Sequence, residues 1–521
     1  MAFNTNTQSH PDIISITPEI ELGPISIPKA KQDDPHLVAF AKPFDAENPK
    51  DWSTSRKWAV TDVLSATGFN RIMVSTIMAP ALSTIAKEFD MNSAESAMAL
   101  SIYLLATAFG PLVIGPLSEV YGRKPILHVS NIWFLIWNIS CGFANSKELL
   151  IASRFLAGFG ASSIYALASG VLGDVWRPEQ RGRSLGVYLL IPLLGAAVGE
   201  ESSKLAQGHD YRVLTMSSLG PIIGGFMASR TTWRWMFWAT SIFQAVMILV
   251  SFTVFHETHE PRILKSRAER LRRETGNQQY YTVDERLHSD KSPYFVLSRA
   301  LIRPLRLLAF HPIIQIASLI SAFYYGILYI VISTFSDLWI NQYHQSVEIS
   351  GLHYISCALG EIVGSQIGAK AMDVLYRRQS SRPDGEHAPE ARLYLVFPGA
   401  LLGPLGLFLY GWAAQNRLHW VVVDIGIFIS MLGMQMTGMP LQAYVMESYP
   451  EHTSSAGAAS QFMRSLTAFL FPLFAPKMYE ILGYGWGNSA IGFVGLAFGL
   501  PAPLAILVFG ARLRAKARPS F

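Results

Sequence analysis

Apolar runs of bilayer-spanning length recur along these 521 residues. They lie near 58–80, 97–118, 125–145, 149–172, 184–228 (interrupted), 235–255, 308–336, 350–371, 393–414, 419–440, 454–478 and 487–511. A helix needs about 20 predominantly apolar residues to cross the hydrocarbon core. Inside lipid the backbone must satisfy its own polar groups, which leaves only helices and closed barrels. The expected fold class is an all-α membrane protein with twelve transmembrane helices. Composition agrees: 50% of residues are hydrophobic and 15% charged, and mean hydropathy is +0.27. A soluble enzyme has a different balance.

Lys and Arg supply the orientation. Arg123 and Lys124 lie between spans 2 and 3, and Arg177, Arg181 and Arg183 between 4 and 5. Arg377, Arg378, Arg382 and Arg392 lie between 8 and 9, and Arg512, Arg514, Lys516 and Arg518 follow the last span. The alternate loops are short and poor in basic residues, so both termini are expected in the cytosol. The basic residues sit in loops between spans, which makes a nucleic-acid partner a poor explanation of the net charge of +5. The expected partners are the lipid bilayer and a small-molecule substrate, and the chain is expected to be monomeric. Residues 1–57 are polar and show no leader-like apolar core near Met1; they read as a poorly ordered cytosolic tail. Cys141 and Cys357 fall in apolar runs and read as small buried side chains, with no disulfide or metal site implied.

The expected layout is a tail over 1–57, a six-helix half over 58–255, a linker over 256–307, a second half over 308–511 and a tail over 512–521. The linker clusters Lys265, Arg267, Arg270, Arg272 and Arg273, which predicts an amphipathic helix on the inner membrane surface. Six spans on each side suggest duplicated halves. A weak echo supports this: Glu119-x-x-Gly122-Arg123-Lys124 after span 2 and Asp373-x-x-Tyr376-Arg377-Arg378 after span 8 share an acid-to-base spacing.

The loop after span 2 reads Gly115-Pro-Leu-Ser-Glu119-Val-Tyr-Gly122-Arg123-Lys124-Pro125. An acid ending one helix there faces bases opening the next, and the pair can latch two helices on the cytosolic side. The pattern resembles the signature loop of the major facilitator superfamily, with Glu119 where Asp is commoner. Span 4 carries Arg154-Phe-Leu-Ala-Gly158-Phe-Gly160, which is similar to the family's span-4 Arg motif. The resemblance implies a role for Arg154 in proton coupling. A buried Arg bonded to helix-end carbonyls is the other reading. The loop after span 4 offers a second latch in Asp174, Glu179 and Arg181, with a counterpart at Glu447-x-x-Pro450-Glu451.

Span 5 is cut by the polar run Glu200–Arg212. Joining Gly199 to Pro221 restores Gly195-x-x-x-Gly199-Pro221-x-x-Gly224-Gly225, which resembles the G-x-x-x-G-P-x-x-G-G motif of proton-driven antiporters in this superfamily. In the family that motif accompanies export. The charges of the run would each cost about 2.5–3.5 kcal/mol at the bilayer centre. Codons for Gly199-Glu200, Leu214-Thr215 and Leu219-Gly220 can spell a splice donor, a branch point and an acceptor in frame. Residues 199–220 are therefore expected to contain an unspliced intron of the gene sequence. A genuine lineage-specific loop is the alternative.

Further stretches are similar to fungal drug:proton antiporters with twelve spans: Asn48–Trp58, Arg267–Asn277, Ser454-Ser-Ala456-x-Ala458-Ala459 leading to Arg464, and Phe471-Pro472. The resemblance covers nearly all of 48–510. It implies export of a small hydrophobic or amphipathic compound, such as a toxin, drug or polyamine, by alternating access. Arg154 and Glu361 are the coupling candidates. Arg71, Tyr324, Tyr325 and Gln435 are the candidates for the substrate cavity, since polar groups inside spans mark transport paths. No phosphate-binding G-x-x-x-x-G-K-[ST] loop, nucleophile constellation or metal cluster occurs in the sequence. The expected energy source is the proton gradient, with no cofactor and no enzymatic activity. The plasma membrane is the expected location. Proton-coupled uptake, including polyamine uptake, a transporter-like sensor and a nonfunctional product of a mis-spliced gene are the rival readings.

Overall fold

A computed structural model describes residues 34–177, 216–288, 293–380, 389–448 and 453–517. Among them the regular structure is helical. The N-terminal half contains α1 (Thr54–Thr76), the short α2 (Leu82–Glu88), α3 (Ser93–Tyr121), α4 (Arg123–Gly142), α5 (Lys147–Ala161), α6 (Ser163–Val175), α7 (Met216–Arg230) and α8 (Arg234–Val254). The linker forms α9 (Glu260–Thr275), α10 (Val283–His288) and α11 (Pro293–Phe310). The C-terminal half contains α12 (Pro312–Asp337), the short α13 (Val347–Leu352), α14 (Tyr354–Ser380), α15 (Val396–Gln415), α16 (Trp420–Ser448), α17 (Thr453–Gly499) and α18 (Pro501–Ala517). α5 and α6 run on as one span, and α17 is two spans broken at Gly483, whose φ is +70°. These helices supply all or part of each of the twelve spans expected.

Seven stretches among the described residues are long and apolar enough to cross a bilayer. α1 falls outside that set for a physical reason. Thr61, Ser65, Thr67, Asn70, Arg71, Ser75 and Thr76 lower its apolarity, and all are buried inside the bundle. The outer surface is apolar instead, with Val129, Ile242, Leu249, Phe493 and Val508 exposed. Helices then hold together through buried polar contacts rather than a hydrophobic drive. Asn138 Nδ2 of α4 donates to Thr240 Oγ1 at 3.0 Å and Ser241 Oγ at 2.8 Å on α8. Asn70 Nδ2 of α1 donates to Gln244 Oε1 at 3.2 Å.

The N-terminus of α1 and the C-terminus of α18 lie at one end of the bundle with the linker; this is the terminal end, and its opposite is the far end. The halves meet along α3 and α17, where Thr107 Oγ1 donates to Ser465 Oγ at 3.1 Å. At the far end α7 packs on α13 and α14.

The linker forms a helix, α9, where the basic cluster led one to be expected. Part of its basic face meets the N-terminal tail. Arg267 pairs with Asp45 at 2.7 Å, and Arg270 with Glu47 at 2.8 Å. Arg272 pairs with Glu285 at 2.7 Å, just before α10 closes. Residues 36–38 run beside Tyr281, with Val38 N donating to Tyr281 O at 2.9 Å. Residues 34–53 are thus a packed strap, which corrects the reading of 1–57 as a poorly ordered tail over that stretch. The acids of the strap are the reason: Asp45 and Glu47 supply counter-charges to Arg267 and Arg270. Residues 1–33 lie outside the described residues.

Candidate functional site

A cavity of about 120 Å³ lies inside the C-terminal half. α12 contributes Tyr324 and Tyr325, α14 contributes Glu361, α16 contributes Gln435 and α17 contributes Arg464. Met431, Met434 and Met439 fill the apolar wall. Glu361 is 1% exposed. The Arg464 guanidinium donates to Gln461 Oε1 at 2.7 Å and lies 5.7 Å from the centroid of the Tyr325 ring. Tyr325 lies within electrostatic reach of both Arg464 and Glu361. Tyr165 of α6 acts on the same guanidinium from the other half. The arrangement joins one carboxylate and one guanidinium to flat, polarizable walls of Tyr and Met, which adapt to varied ring systems.

Four expected residues therefore meet here: Glu361, Tyr324, Tyr325 and Gln435. Arg464 is the member that sequence reasoning named only as part of a stretch; a charge inside an apolar run was the available signal. Arg71 does not belong to the cavity. It is 1% exposed and donates to Gly160 O and Ala161 O, each at 3.2 Å, and to Ser163 Oγ and Asn131 Oδ1. Its charge serves the packing of α1 against α4 and α5, because those carbonyls and the amide lie nearer than any part of the cavity.

Arg154 makes the backbone-carbonyl contacts that one of its two sequence readings expects. The side chain is 0% exposed. It donates to Val74 O at 2.8 Å and Ser75 O at 3.2 Å on α1, and to Ala99 O at 3.3 Å and Leu100 O at 3.1 Å on α3. It stacks over Tyr103, 4.7 Å from the ring centroid. One guanidinium thus ties two helices by their backbones.

At the terminal end the two expected latches merge into one. Gly122 turns from α3 to α4 with φ at +96°, a region that glycine adopts without strain. A Cβ there would also lie 2.4 Å from Glu257 Oε2. Glu257 accepts from Arg123 N at 2.8 Å and Lys124 N at 3.2 Å, capping the N-terminus of α4. Arg123 Nε pairs with Asp174 of α6 at 3.3 Å, and its Nη1 donates to Ser118 Oγ at 2.5 Å. Glu119 is exposed. The expected partnership of Glu119 with Arg123 and Lys124 is thus replaced by Asp174 and Glu257, which reach the helix start from two other elements. Gly115 packs α3 against Ala166 of α6. Glu179 and Arg181 lie outside the described residues, as do Pro450 and Glu451. Beside this corner, burial and then the Arg123 charge push His259 down to about 4.

The glycines of the interrupted motif divide likewise. Gly195 and Gly199 lie outside the described residues. Pro221 is buried within α7. A Cβ on Gly224 would lie 1.9 Å from Ile77 O at the end of α1, and one on Gly225 would lie 3.1 Å from Val347 O of α13. These two glycines let α7 touch both halves at the far end. Across the same contact Ser229 Oγ donates to Glu348 Oε1 at 2.6 Å, and Arg230 pairs with that oxygen at 3.4 Å.

The sequence profile described as Major Facilitator Superfamily matches residues 64–199 and 214–472, leaving out 200–213. A relative from Aspergillus flavus called probable efflux pump mfs2 is 52% identical over 445 residues, covering 85% of this chain and all of its own length. Efflux pump vrtL of Penicillium aethiopicum is 38% identical, with 96% of this chain and 95% of its own covered. Among solved structures, the Escherichia coli xylose transporter XylE in a partially occluded inward-open conformation shares the fold with a TM-score of 0.59 at 15% identity, covering 88% of this chain and 98% of its own.

Proposed function

This chain belongs to the Major Facilitator Superfamily, a family of multi-pass membrane transporters rather than enzymes, and from that premise we propose that it exports a small hydrophobic or amphipathic compound in exchange for protons. The observation that carries the reading is the cavity that sets Glu361 and Arg464 among Tyr324, Tyr325 and three methionines. A carboxylate in such a place changes charge at a large electrostatic cost, so proton and substrate occupancy are coupled there. Relatives named efflux pumps support the direction.

The cycle is alternating access between the halves. The terminal end faces the cytosol and the far end faces outside, across the plasma membrane. Substrate enters from the cytosol and rests on the tyrosines, Gln435 and Arg464. An external proton reaching Glu361 removes its charge and releases the substrate outward. Arg154 holds the N-terminal half rigid during rocking, and the Arg123–Asp174–Glu257 corner joins α3, α6 and the linker on the cytosolic side.

The interruption at 200–213 in the family match falls inside the run read as a retained intron, which supports that reading. The working protein then lacks residues 200–220.

The test uses everted membrane vesicles carrying the chain without residues 200–220 and a fluorescent amphipathic dye, rhodamine 6G. An inside-acid gradient drives dye accumulation, and Glu361→Gln abolishes the dependence on the gradient. Accumulation that ignores the gradient overturns proton coupling.

A further inference from the structure

His353 lies where α13 ends and α14 begins, and its ring is 7% exposed. Nδ1 stands 2.8 Å from Asp424 Oδ2 of α16, and Nε2 stands 2.8 Å from Gln345 Oε1. The ring stacks face to face on Trp339, 3.6 Å between centroids at 10°, and meets the edge of Trp420 at 5.7 Å. Gln345 is itself fixed, since its backbone N donates to Trp339 O at 2.9 Å.

Both ring nitrogens therefore have partners. Nδ1–H donates to the Asp424 carboxylate, a hydrogen bond strengthened by the acceptor's charge, and the Gln345 amide, turned either way, serves Nε2. The stacked indole fixes the plane of the ring.

The position of the ring gives the contact a structural consequence. α13, together with α14, meets α7 at the far end, through Gly225 on Val347 O and through Glu348 on Ser229 and Arg230. It also packs on the turn Ala79–Ala81 that follows α1. At its other end, His353 is its tie to α16. We propose that the contact of His353 with Asp424 anchors α13 and so holds the far end of the transporter shut. The proposal rests on the reading of that end as the external one. Loss of the contact loosens α13 and favours opening.

Other charges near the ring do not replace this pair. Glu348 on α13 is engaged by α7. Asp337 ends α12 beside Tyr354, and Cys357 lies one turn along α14, near Asp424. His419 packs on Trp420 at 5.4 Å, and Arg417 precedes it in the same loop. Arg230 reaches across from α7. Asp424 is the only acid among the described residues that the ring contacts.

The test is thiol labelling of a reporter beneath α13. Ala79 is 1% exposed, so a cysteine there reacts only when the far end opens. The chain without residues 200–220 carries Ala79→Cys with Cys141→Ala and Cys357→Ala, sits in nanodiscs so that both faces are wet, and is treated with a charged maleimide. At one fixed pH near neutrality the reporter is expected to label slowly. His353→Gln and Asp424→Asn should each label faster by about tenfold, as loss of a hydrogen bond to a charged group implies. Size exclusion identifies a misfolded variant, and the other variant then answers. A folded His353→Gln or Asp424→Asn that labels as slowly as its parent overturns the proposal. The readout needs no substrate and no flux, so it stands or falls separately from proton-driven export.

Discussion

Arg154 brings a full charge into the N-terminal half and directs it at four backbone carbonyls. Replacing it by Gln leaves several of those carbonyls without donors, each at about 1–3 kcal/mol. The expected outcome is a loss of about 3 kcal/mol in stability, read as a lower unfolding midpoint of the purified protein by several degrees. An Arg154→Gln protein that melts like its parent contradicts the tie. His259 makes a second prediction at this scale. Its folded value of about 4 lies below the ordinary 6.5, because burial disfavours the charged ring and Arg123 repels it. As pH falls, the unfolded chain takes up the proton first, so stability from this group is present above about 6.5 and is lost towards 4. His259→Asn should flatten that part of a plot of unfolding midpoint against pH. Glu361, Tyr324, Tyr325 and Gln435 were legible in the sequence as polar or aromatic groups within apolar runs. Arg71 looked the same and is elsewhere, because hydropathy records depth along a helix and says nothing of which face turns inward.

The helices show the same limit one level up. Span positions were legible because apolar length is a local property. α13 was not, since six residues carry no periodic signal. The strap is not legible in the sequence, because acids that pair with a distant basic run look the same as those of any polar tail. That pairing is testable by charge swap. Asp45 is 7% exposed; burial raises its carboxyl, but hydrogen bonds from Ala41 N and Arg267 outweigh that and hold it below its ordinary value. Arg267→Asp should lower stability by about 1–2 kcal/mol, after discount for the partly exposed Arg267. Adding Asp45→Arg should restore part of it, giving a coupling term in a double-mutant cycle. Equal losses that simply add contradict the contact. For span 5, sequencing the transcript is decisive: messages lacking the bases for 200–220 are expected, and consistent retention removes the intron reading.

In the whole molecule, the described contacts form two six-helix halves, a far end bridged by α7 and α13, and a cavity whose charged groups come from α14 and α17. The resemblance in the loops and glycines named the family before any fold was in view. It left the cavity unassigned, because cavity residues are brought together from four separate spans and their spacing in sequence carries no pattern. The central claim is that a proton gradient drives outward movement through that cavity. The most direct measurement is accumulation of rhodamine 6G in everted vesicles bearing the chain without residues 200–220, with the gradient imposed and then collapsed by an uncoupler. The account predicts uptake that follows the inside-acid gradient, stops on collapse, and is missing in Glu361→Gln. Uptake that survives collapse of the gradient would contradict it.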